Sequence, residues 1–337
     1  MPAQFGNSLT EQRALLAGKA AAVLDPRTII RISGDHRQTW LHALLSQNIQ
    51  GLQAGESAEA LLLDPQGHVE QDIHVFVAED SVWLWVGADR GEALLAWLNR
   101  MVFRAKVSIE DVSDRYAVVA TFGSPMAVAQ LAWLDPWPGI VAGGIRYAAS
   151  AVAASDWTCF ENLVPIGQLD AVIAEYEPAG TMAMDALRTA ARRPAEAELD
   201  DRSLPHELDL LATAVHLTKG CYRGQETVAK VHNLGHPPRR ITFLHLDGSG
   251  HELPPVGSDV RVAGEEQLRG RVTTVASHFE AGPIALAVLS RSTPVDAALE
   301  VVDADGRVVA ATQEVIVPPE AGKAANLGAR RSLLGGR

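Results

Sequence analysis

The chain has little cysteine: Cys159 and Cys221 are the only two thiols among 337 residues. Two thiols cannot build a disulfide framework, which indicates a reducing compartment. They also cannot supply the roughly four thiolates that hold a [4Fe–4S] cluster, so any cluster chemistry would require a partner, a second subunit or a transient bond. The nearest zinc ligands, Cys221, His232 and His236, form only a weak pattern without C-x-x-C. We therefore predict no stably bound metal.

Long apolar runs and an excess of basic residues are also missing. No apolar stretch approaches the roughly 20 residues that cross a bilayer, and the first residues show no secretory signal. The net charge of −12 argues against binding of nucleic acid by the whole surface. Neither a G-x-G-x-x-G after a strand nor a P-loop is present. A nucleotide oxidoreductase is therefore the least favoured of the candidate functions. The sequence predicts a cytoplasmic protein with no membrane partner and no direct nucleic-acid partner.

The apolar content of the chain, 47%, is ample for a core spread over two or three packed units. A strand is predicted over 28–33, and Asp35 is expected to cap the helix that follows. A three-strand meander over 60–86 contains a turn at 64–67, where Pro and Gly take positions that β-turns favour. Strands alternate with helices but show no long parallel βαβ rhythm, so we predict an α+β fold. The further predicted helices span 91–101, 166–176 and 181–193.

The character of the chain changes after residue 240. Six short β-like runs follow, and Asp305-Gly306 predicts a hairpin between the last two. We predict a C-terminal β-barrel domain over 241–317, preceded by two interleaved α/β lobes over 1–240. Residues 318–337 are rich in Pro, Gly and Ala and are predicted to form a disordered tail.

The most informative segment is Lys-Gly-Cys-Tyr-Arg-Gly-Gln-Glu at 219–226. Cys221 lies just before a helix predicted over 224–235, and a helix N-terminus with basic neighbours favours the reactive thiolate. Glycines on both sides leave room for a ligand to approach the backbone. The alternative is a structural cysteine in a loop, and Cys159 is interpreted as a structural strand residue.

Side chains of the strand predicted over 69–77 alternate between two faces. Val69, Ile73 and Val75 lie on one face, and Asp72 shares the other with polar neighbours. That polar face could line a channel. A solvated strand face is the alternative that the pattern leaves open.

The segment 219–226 resembles the signature K-G-C-[FY]-x-G-Q-E of the YgfZ family of folate-binding, iron–sulfur-related proteins. Weaker similarities occur in the same order along the chain and extend the resemblance over roughly residues 27–317. They include Ser33-Gly34-Asp35, the segment from Leu63 to Asp72, Leu204-Pro205-His206-Glu207 and the segment from Gly270 to Thr274.

YgfZ proteins resemble the aminomethyltransferase, or T-protein, of the glycine cleavage system. The resemblance implies a ring of three domains around a central channel that binds tetrahydrofolate or a derivative. It also implies that Cys221, Lys219 and Asp72 form the reactive set. The implied folate-binding residues are Asp72, Arg188, Glu207, Lys219, Gly220, Tyr222, Gly224, Gln225 and Glu226.

Two departures from the T-protein pattern bear on the chemistry. An acidic pair becomes Gln71-Asp72, so one acid remains, and the glutamate expected at the pterin edge is replaced by Ala190. Since that edge requires a carboxylate acceptor, Glu207 becomes the better candidate. Residues 188–240 are locally basic and, if they converge, could hold the folate glutamate tail, a polyglutamate or an RNA backbone.

The leading interpretation is an accessory factor, and not an ordinary enzyme, that binds folate and supports iron–sulfur cluster assembly or repair. Cys221 would act as a transient ligand or redox thiol, iron–sulfur proteins or assembly factors would be transient partners, and effects on tRNA modification would be indirect. The alternative is a tetrahydrofolate-dependent aminomethyl or one-carbon transferase that uses Asp72 as a base or electrostatic group. The missing acids at Gln71 and Ala190 argue against that alternative.

Overall fold

The computed structural model describes residues 2–148, 157–250 and 252–323. Its helices are α1 (Ser8–Leu16), α2 (Arg37–Leu44), α3 (Ala88–Arg100), α4 (Leu169–Ile173), α5 (Thr181–Ala190) and α6 (Gln225–Leu234). Its strands are β1 (Ala20–Val23), β2 (Arg27–Ser33), β3 (Ser57–Leu63), β4 (Val69–Val77), β5 (Ser81–Gly87), β6 (Ser108–Asp111), β7 (Tyr116–Phe122), β8 (Leu131–Leu134), β9 (Cys159–Pro165), β10 (Glu177–Ala179), β11 (Arg239–Leu246), β12 (Asp259–Val262), β13 (Leu268–His278), β14 (Gly282–Ser290), β15 (Leu299–Val302) and β16 (Val308–Val315).

The predicted meander forms most of an antiparallel sheet with the order β3-β4-β5-β2-β6. The turn before β4 is closed by a hydrogen bond from the Gly67 amide to the Asp64 carbonyl, and Gly67 has a φ of 85°. One face of the sheet buries Ile73 and Val75 against Leu41 of α2 and Leu98 of α3. The opposite face is therefore left for the rest of the molecule.

A second sheet has the order β10-β1-β7-β9-β8, and its β1–β10 pair is parallel. The two sheets pack through aromatic and aliphatic side chains, with Ile29 and Trp85 from the first and Val118 and Trp133 from the second. The Trp133 indole Nε1 donates to the Ala58 carbonyl at 2.7 Å, which fixes β8 against β3.

The C-terminal strands close into a barrel with the order β11-β14-β13-β12-β15-β16. The predicted hairpin joins β15 to β16, and Gly306 takes a φ of 82° that glycine adopts without strain. On the outside of the barrel, Phe243 and Leu286 share a core with Tyr222 and Val228. The α+β architecture with a C-terminal β-barrel is confirmed, whereas the division into domains stays a prediction.

Three predicted helices differ from those observed. α2 begins at Arg37 with His36, not Asp35, as its N-cap, because two hydrogen bonds tie His36 to Lys106: the His36 amide donates to the Lys106 carbonyl, and the Lys106 amide donates to the His36 ring Nδ1. The helix predicted over 181–193 ends at Ala190, since Arg192 takes a φ of 57° and bonds Glu314 of the barrel. The helix predicted over 166–176 is a 3₁₀ turn followed by the short α4.

The predicted tail over 318–337 lies mostly outside the described residues, which end at 323. Among the described helices, none combines the length and the apolar character that crossing a membrane requires.

Candidate functional site

A cavity of about 550 Å³ lies where the two sheets meet the end of α5. Its walls come from β2, β4, β5, β9, α5 and the loop over 193–197, so residues far apart in the sequence converge. Trp85 and Trp157 supply aromatic surface. The ionisable side chains that line the cavity are Asp25, Arg27, Asp72, His74, Asp89, Asp135, Glu161, Asp185, Arg188, Arg193 and Glu196.

Asp72 projects from β4 toward this cavity, opposite the face that packs on α2 and α3. The residue is 9% exposed, and its buried Oδ1 has no hydrogen-bond partner among the described residues. Burial raises the pKa of Asp72 to about 8, with a further contribution from Glu59, while Arg193 and His74 oppose the shift. At neutral pH the cavity therefore holds an uncharged carboxyl group. The solvated alternative for this strand face does not apply at Asp72.

Arg193 is the buried cation of the cavity. Its Nη2 donates to Glu59 Oε1 at 2.5 Å and its Nε to Asp135 Oδ2 at 3.0 Å. Burial alone would lower the pKa of Arg193, but Asp135 and Glu59 raise it above its ordinary value. Its buried Nη1 has no partner in the described part of the chain. The guanidinium is thus permanently charged and keeps one donor for another group.

His74 and Glu161 form a second ionised pair. His74 Nδ1 lies 2.9 Å from Glu161 Oε2, and the Trp85 indole donates to the same oxygen at 2.6 Å. Burial alone would raise the pKa of Glu161, but His74 and Arg27 reverse this and lower it to about 2. Burial alone would lower the pKa of His74, and Glu161, through its charge and its hydrogen bond, reverses that effect and raises it. The pairing therefore favours the imidazolium form of His74 beside a carboxylate.

Arg188 also lines the cavity, but its guanidinium is already engaged. Nη1 donates to Glu198 and to the Arg193 carbonyl, and Nη2 donates to Thr274 of β13, each at 2.8 Å. Cys159 is 3% exposed on the cavity wall, where burial raises its pKa well above the ordinary value, as Glu161 does to a smaller extent. Its thiol stays protonated.

Glu207 does not line the cavity. Its fully buried carboxylate accepts hydrogen bonds from Arg239 Nη2 at 2.8 Å and from the Leu204 amide at 3.2 Å. These contacts give Glu207 a structural part in the turn before the signature segment. Its assignment to the pterin edge stays a prediction.

The loop over 219–224 lies outside the cavity walls. Its basic side chains form hydrogen bonds that hold the loop in place. Lys219 is 8% exposed, and its ammonium donates to the carbonyl groups of His42, of Leu45 at 2.5 Å and of Gln47 at 3.0 Å. These three carbonyls belong to the end of α2 and the residues after it. Although burial lowers the pKa of Lys219 to about 8, the ammonium is committed to the backbone and not to the Cys221 thiol.

Other residues of the signature also hold the loop in place. Arg223 donates to both oxygens of Glu70, at 2.7 and 3.1 Å, and Tyr222 is buried in the core. Gly224 has a φ of 81°, and a Cβ there would lie 2.6 Å from the Asp64 carbonyl oxygen. The space predicted for a ligand beside Gly224 is therefore filled by the turn before β4.

The surface of the loop around Cys221 is accessible to solvent, because Gly220, Gln225 and Glu226 do not cover it. Gly220 has no heavy atom of the described residues within 4 Å of an added Cβ, and Glu226 is exposed in the first turn of α6. Gln225 donates weakly to the Lys219 carbonyl at 3.4 Å. Cys221 is exposed between these braces. The loop presents one free thiol on a fixed backbone.

The loop and the cavity are connected through β4. The Arg223–Glu70 pair fastens the loop to β4, the strand that also carries Asp72. The two residues are two positions apart on one strand, which separates them by roughly 7 Å along it.

His74, Glu161 and the pairing of Arg193 are parts of the site that were not predicted from the sequence. The alternation of β4 carried a signal for His74, since it shares a face with Asp72. Glu161 and Arg193 come from β9 and from the loop after α5, and the sequence contains no periodic pattern that brings them to β4.

Comparisons with known proteins agree with this architecture. Residues 1–136 match the family model described as the GCVT N-terminal domain. The structure of the glycine cleavage system aminomethyltransferase T from Bartonella henselae superimposes with a TM-score of 0.72 and covers 94% of this chain and 90% of that one, at 17% identity. The N-terminal part of the chain is thus similar to the GcvT family, and the whole chain shares the fold of this aminomethyltransferase. At that identity the superposition establishes the fold alone.

Three curated relatives are informative. A putative chloroplastic transferase from Arabidopsis thaliana is 25% identical over 76% of this chain and 62% of its own length. A mitochondrial iron–sulfur cluster assembly factor IBA57 homologue from Mycosarcoma maydis is 26% identical, over 74% and 63%. The tRNA-modifying protein YgfZ from Edwardsiella ictaluri is 26% identical, over 83% and 87%. The chain thus spans less than two thirds of the plant and fungal relatives.

Proposed function

We propose that this protein is a folate-binding accessory factor for the assembly or repair of iron–sulfur clusters. Its cavity would bind tetrahydrofolate or a derivative, and Cys221 would supply a reactive thiol to a partner protein. The observation that carries the proposal is the pairing of a cavity that contains unpartnered polar atoms of Asp72 and Arg193 with an exposed thiol on a loop fixed by its neighbours. Any effect on tRNA modification would be indirect, through iron–sulfur enzymes.

The cavity residues fit a reduced folate. A pterin ring has flat faces and an edge with donors and acceptors, and the cavity offers two tryptophans beside the orphaned Asp72 Oδ1 and Arg193 Nη1. A volume of about 550 Å³ is within the range of small-molecule sites. When bound, folate would supply its reactive ring nitrogens and any one-carbon unit that it carries. The protein would orient the ring through Asp72 and Arg193 and keep water away from it.

Cys221 suits a transient role because nothing in the described structure buries its thiol. A single thiolate cannot hold a cluster alone, but it can complete the ligand set of a cluster that a partner holds. Lys219 and Arg223 contribute by fixing the backbone on both sides of the thiol. Of these three signature residues, Cys221 is therefore the one to which the proposal assigns a chemical role.

The alternative is a tetrahydrofolate-dependent one-carbon transferase. A relative in Rippkaea orientalis named aminomethyltransferase is 27% identical over 87% of this chain, and the buried carboxyl of Asp72 could act as an acid or base there. Gln71, which replaces the second acid, does not line the cavity. This alternative also leaves the exposed Cys221 without a role.

The proposal is tested by separating its two parts. Calorimetry should show that the purified protein binds tetrahydrofolate, and that Asp72→Asn weakens binding at least tenfold whereas Asp305→Asn, the same change on the exposed barrel hairpin, does not. Cys221→Ser should bind tetrahydrofolate normally but fail to restore iron–sulfur enzyme activities in a deletion strain.

Either part can be contradicted independently. Full restoration by Cys221→Ser would remove the thiol from the mechanism, and failure of the wild-type protein to bind any reduced folate would remove the ligand. Release of methylene-tetrahydrofolate from an aminomethyl donor, abolished by Asp72→Asn, would establish the transferase instead.

A further inference from the structure

His74 is the one imidazole on the cavity wall among the described residues, and it is held in a single orientation. Its ring stacks on Trp133, with centroids 3.8 Å apart and 4° between the planes, and Trp85 meets it edge-on at 6.1 Å. Its Nδ1 forms a hydrogen bond with Glu161 Oε2 at 2.9 Å. The geometry leaves Nε2 as the ring nitrogen available to a ligand.

The charges around His74 favour its protonated form. Glu161 of β9 is the carboxylate in direct contact, Arg193 is the opposing cation, and the uncharged Asp72 lies on the same face of β4. Glu59 of β3 lies behind Arg193 as its ion-pair partner, and Arg27 of β2 acts on Glu161. With a proton on each nitrogen, the ring donates to Glu161 through Nδ1 and can donate to a ligand through Nε2.

The ionisable groups of the cavity wall divide into cationic donors and acids. The cavity wall that carries the uncharged Asp72 also carries two cationic donors, His74 and Arg193, the second with an unpartnered Nη1. The remainder of the lining is mostly acidic, with Asp25, Asp89, Asp185 and Glu196 against Arg27 and Arg188. Cationic donors attract oxygen acceptors, and acidic walls repel them.

We propose that His74 is a ligand-binding residue, positioned by Glu161, and that with Arg193 it takes a carbonyl or carboxylate oxygen of the bound folate. The inference rests on the proposed folate binding and deepens it, because it says which part of the folate binds beside Asp72: an end that carries a carbonyl or carboxylate oxygen. The acidic lining implies in addition that a polyglutamate tail does not lie along the walls formed by Asp89, Asp185 and Glu196.

Affinity should then depend on the proton of His74. Calorimetry with 5-formyltetrahydrofolate should give a dissociation constant that rises about tenfold between pH 6 and pH 9, the usual effect of losing a hydrogen bond to a charged group. In His74→Gln the affinity at pH 6 should fall about tenfold and the pH dependence should flatten. Glu161→Gln should move the dependence to lower pH.

Asp72 titrates in a similar range, so the same measurements are made in the Asp72→Asn background, where the remaining pH dependence belongs to His74. His245→Gln, at an exposed histidine of β11, is the matched control and should leave affinity unchanged. A ligand-free readout comes from NMR titration of the histidine ring signals. The signal that His74→Gln removes should titrate above the ordinary value of about 6.5 and shift down in Glu161→Gln.

The outcomes separate this inference from the proposed function. If the wild-type protein binds the folate and His74→Gln, folded as judged by circular dichroism, binds it with the same affinity and pH profile, the assignment of His74 is wrong while the proposed function stands. If Glu161→Gln leaves both the NMR titration and the affinity unchanged, Glu161 is not the positioning residue. If no reduced folate binds the wild-type protein at any pH, the proposed function fails and this assignment with it.

Discussion

Asp72 stays uncharged because its surroundings supply too little compensation for burial. Arg193 is near, but its strongest contacts go to Glu59 and Asp135, so the carboxyl of Asp72 gains only part of that charge. A buried carboxyl without a full partner is stabilised in its neutral form. Such a group can either donate or accept a hydrogen bond, which suits a ligand edge that carries both.

The pH dependence of stability should reveal this neutral acid. Between pH 4 and pH 8 the folded protein keeps the Asp72 proton, whereas the unfolded chain loses it near pH 4. The free energy of unfolding contributed by this group therefore falls as the pH rises through that interval. Asp72→Asn removes the effect, so the variant should gain stability relative to the wild type from pH 5 to pH 8, by at most about 1.4 kcal/mol per unit.

Urea unfolding at pH 5, 6, 7 and 8 measures this difference. Asp305→Asn, at an exposed position of the barrel hairpin, should keep a constant difference from the wild type. A constant difference for Asp72→Asn as well would show that Asp72 is ionised in the folded protein.

At the scale of elements, local patterns could be predicted and long-range contacts could not. The alternation of β4 and the Asp-Gly hairpin of the barrel follow from side-chain geometry over a few residues, and both are found. The true start of α2 depends on Lys106, and the end of α5 depends on Glu314. Those contacts join residues separated by most of a domain, and a local pattern contains no signal for them.

The signature loop shows the same limit. Its sequence indicated a thiol activated by neighbouring cations, but Lys219 instead binds the carbonyls that follow α2, more than 170 positions earlier. The lysine therefore acts as a brace between α2 and the loop that presents Cys221. A buried ammonium in such a place stabilises both elements, because the carbonyls would otherwise be buried without donors.

Replacing this brace should destabilise the protein and mobilise the thiol. Lys219→Met should lower the free energy of unfolding by about 2–3 kcal/mol, since it leaves buried carbonyl groups unsatisfied. Lys230→Met, at an exposed position of α6, should change it by less than about 0.5 kcal/mol. Urea unfolding measures the stabilities, and an unchanged value for Lys219→Met would mean that water replaces the ammonium without loss.

At the scale of the whole molecule, α5 connects the cavity to the barrel. Arg188 bonds Thr274 of β13 through Nη2, and Glu198 accepts from both residues. Two residues after the helix, Arg192 bonds both oxygens of Glu314 at 2.8 Å and lies 4.6 Å from the Phe243 ring centroid. The left-handed φ of Arg192 is maintained by these contacts with the barrel.

The strength of this connection is measurable with a double-mutant cycle. Arg192→Ala and Glu314→Ala should couple by about 1 kcal/mol, because the pair is bidentate and partly buried. The pair Arg271–Asp259, within the barrel and 66% exposed on the arginine side, should couple by less than about 0.5 kcal/mol. Equal coupling in the two pairs would show that the Arg192 contact adds nothing specific.

The distribution of tryptophan makes the cooperativity of the whole chain observable. All seven tryptophans lie between residues 40 and 157, so their fluorescence reports on the two sheets and not on the barrel. If α5 and its arginines couple the barrel to the sheets, fluorescence and far-ultraviolet circular dichroism should give the same unfolding midpoint in the wild type. In Arg188→Ala combined with Arg192→Ala the two midpoints should separate, because a barrel with its own core can remain folded alone. Coincident midpoints in that variant would place the coupling instead in the apolar contacts that Phe243 and Leu286 make with Tyr222 and Val228.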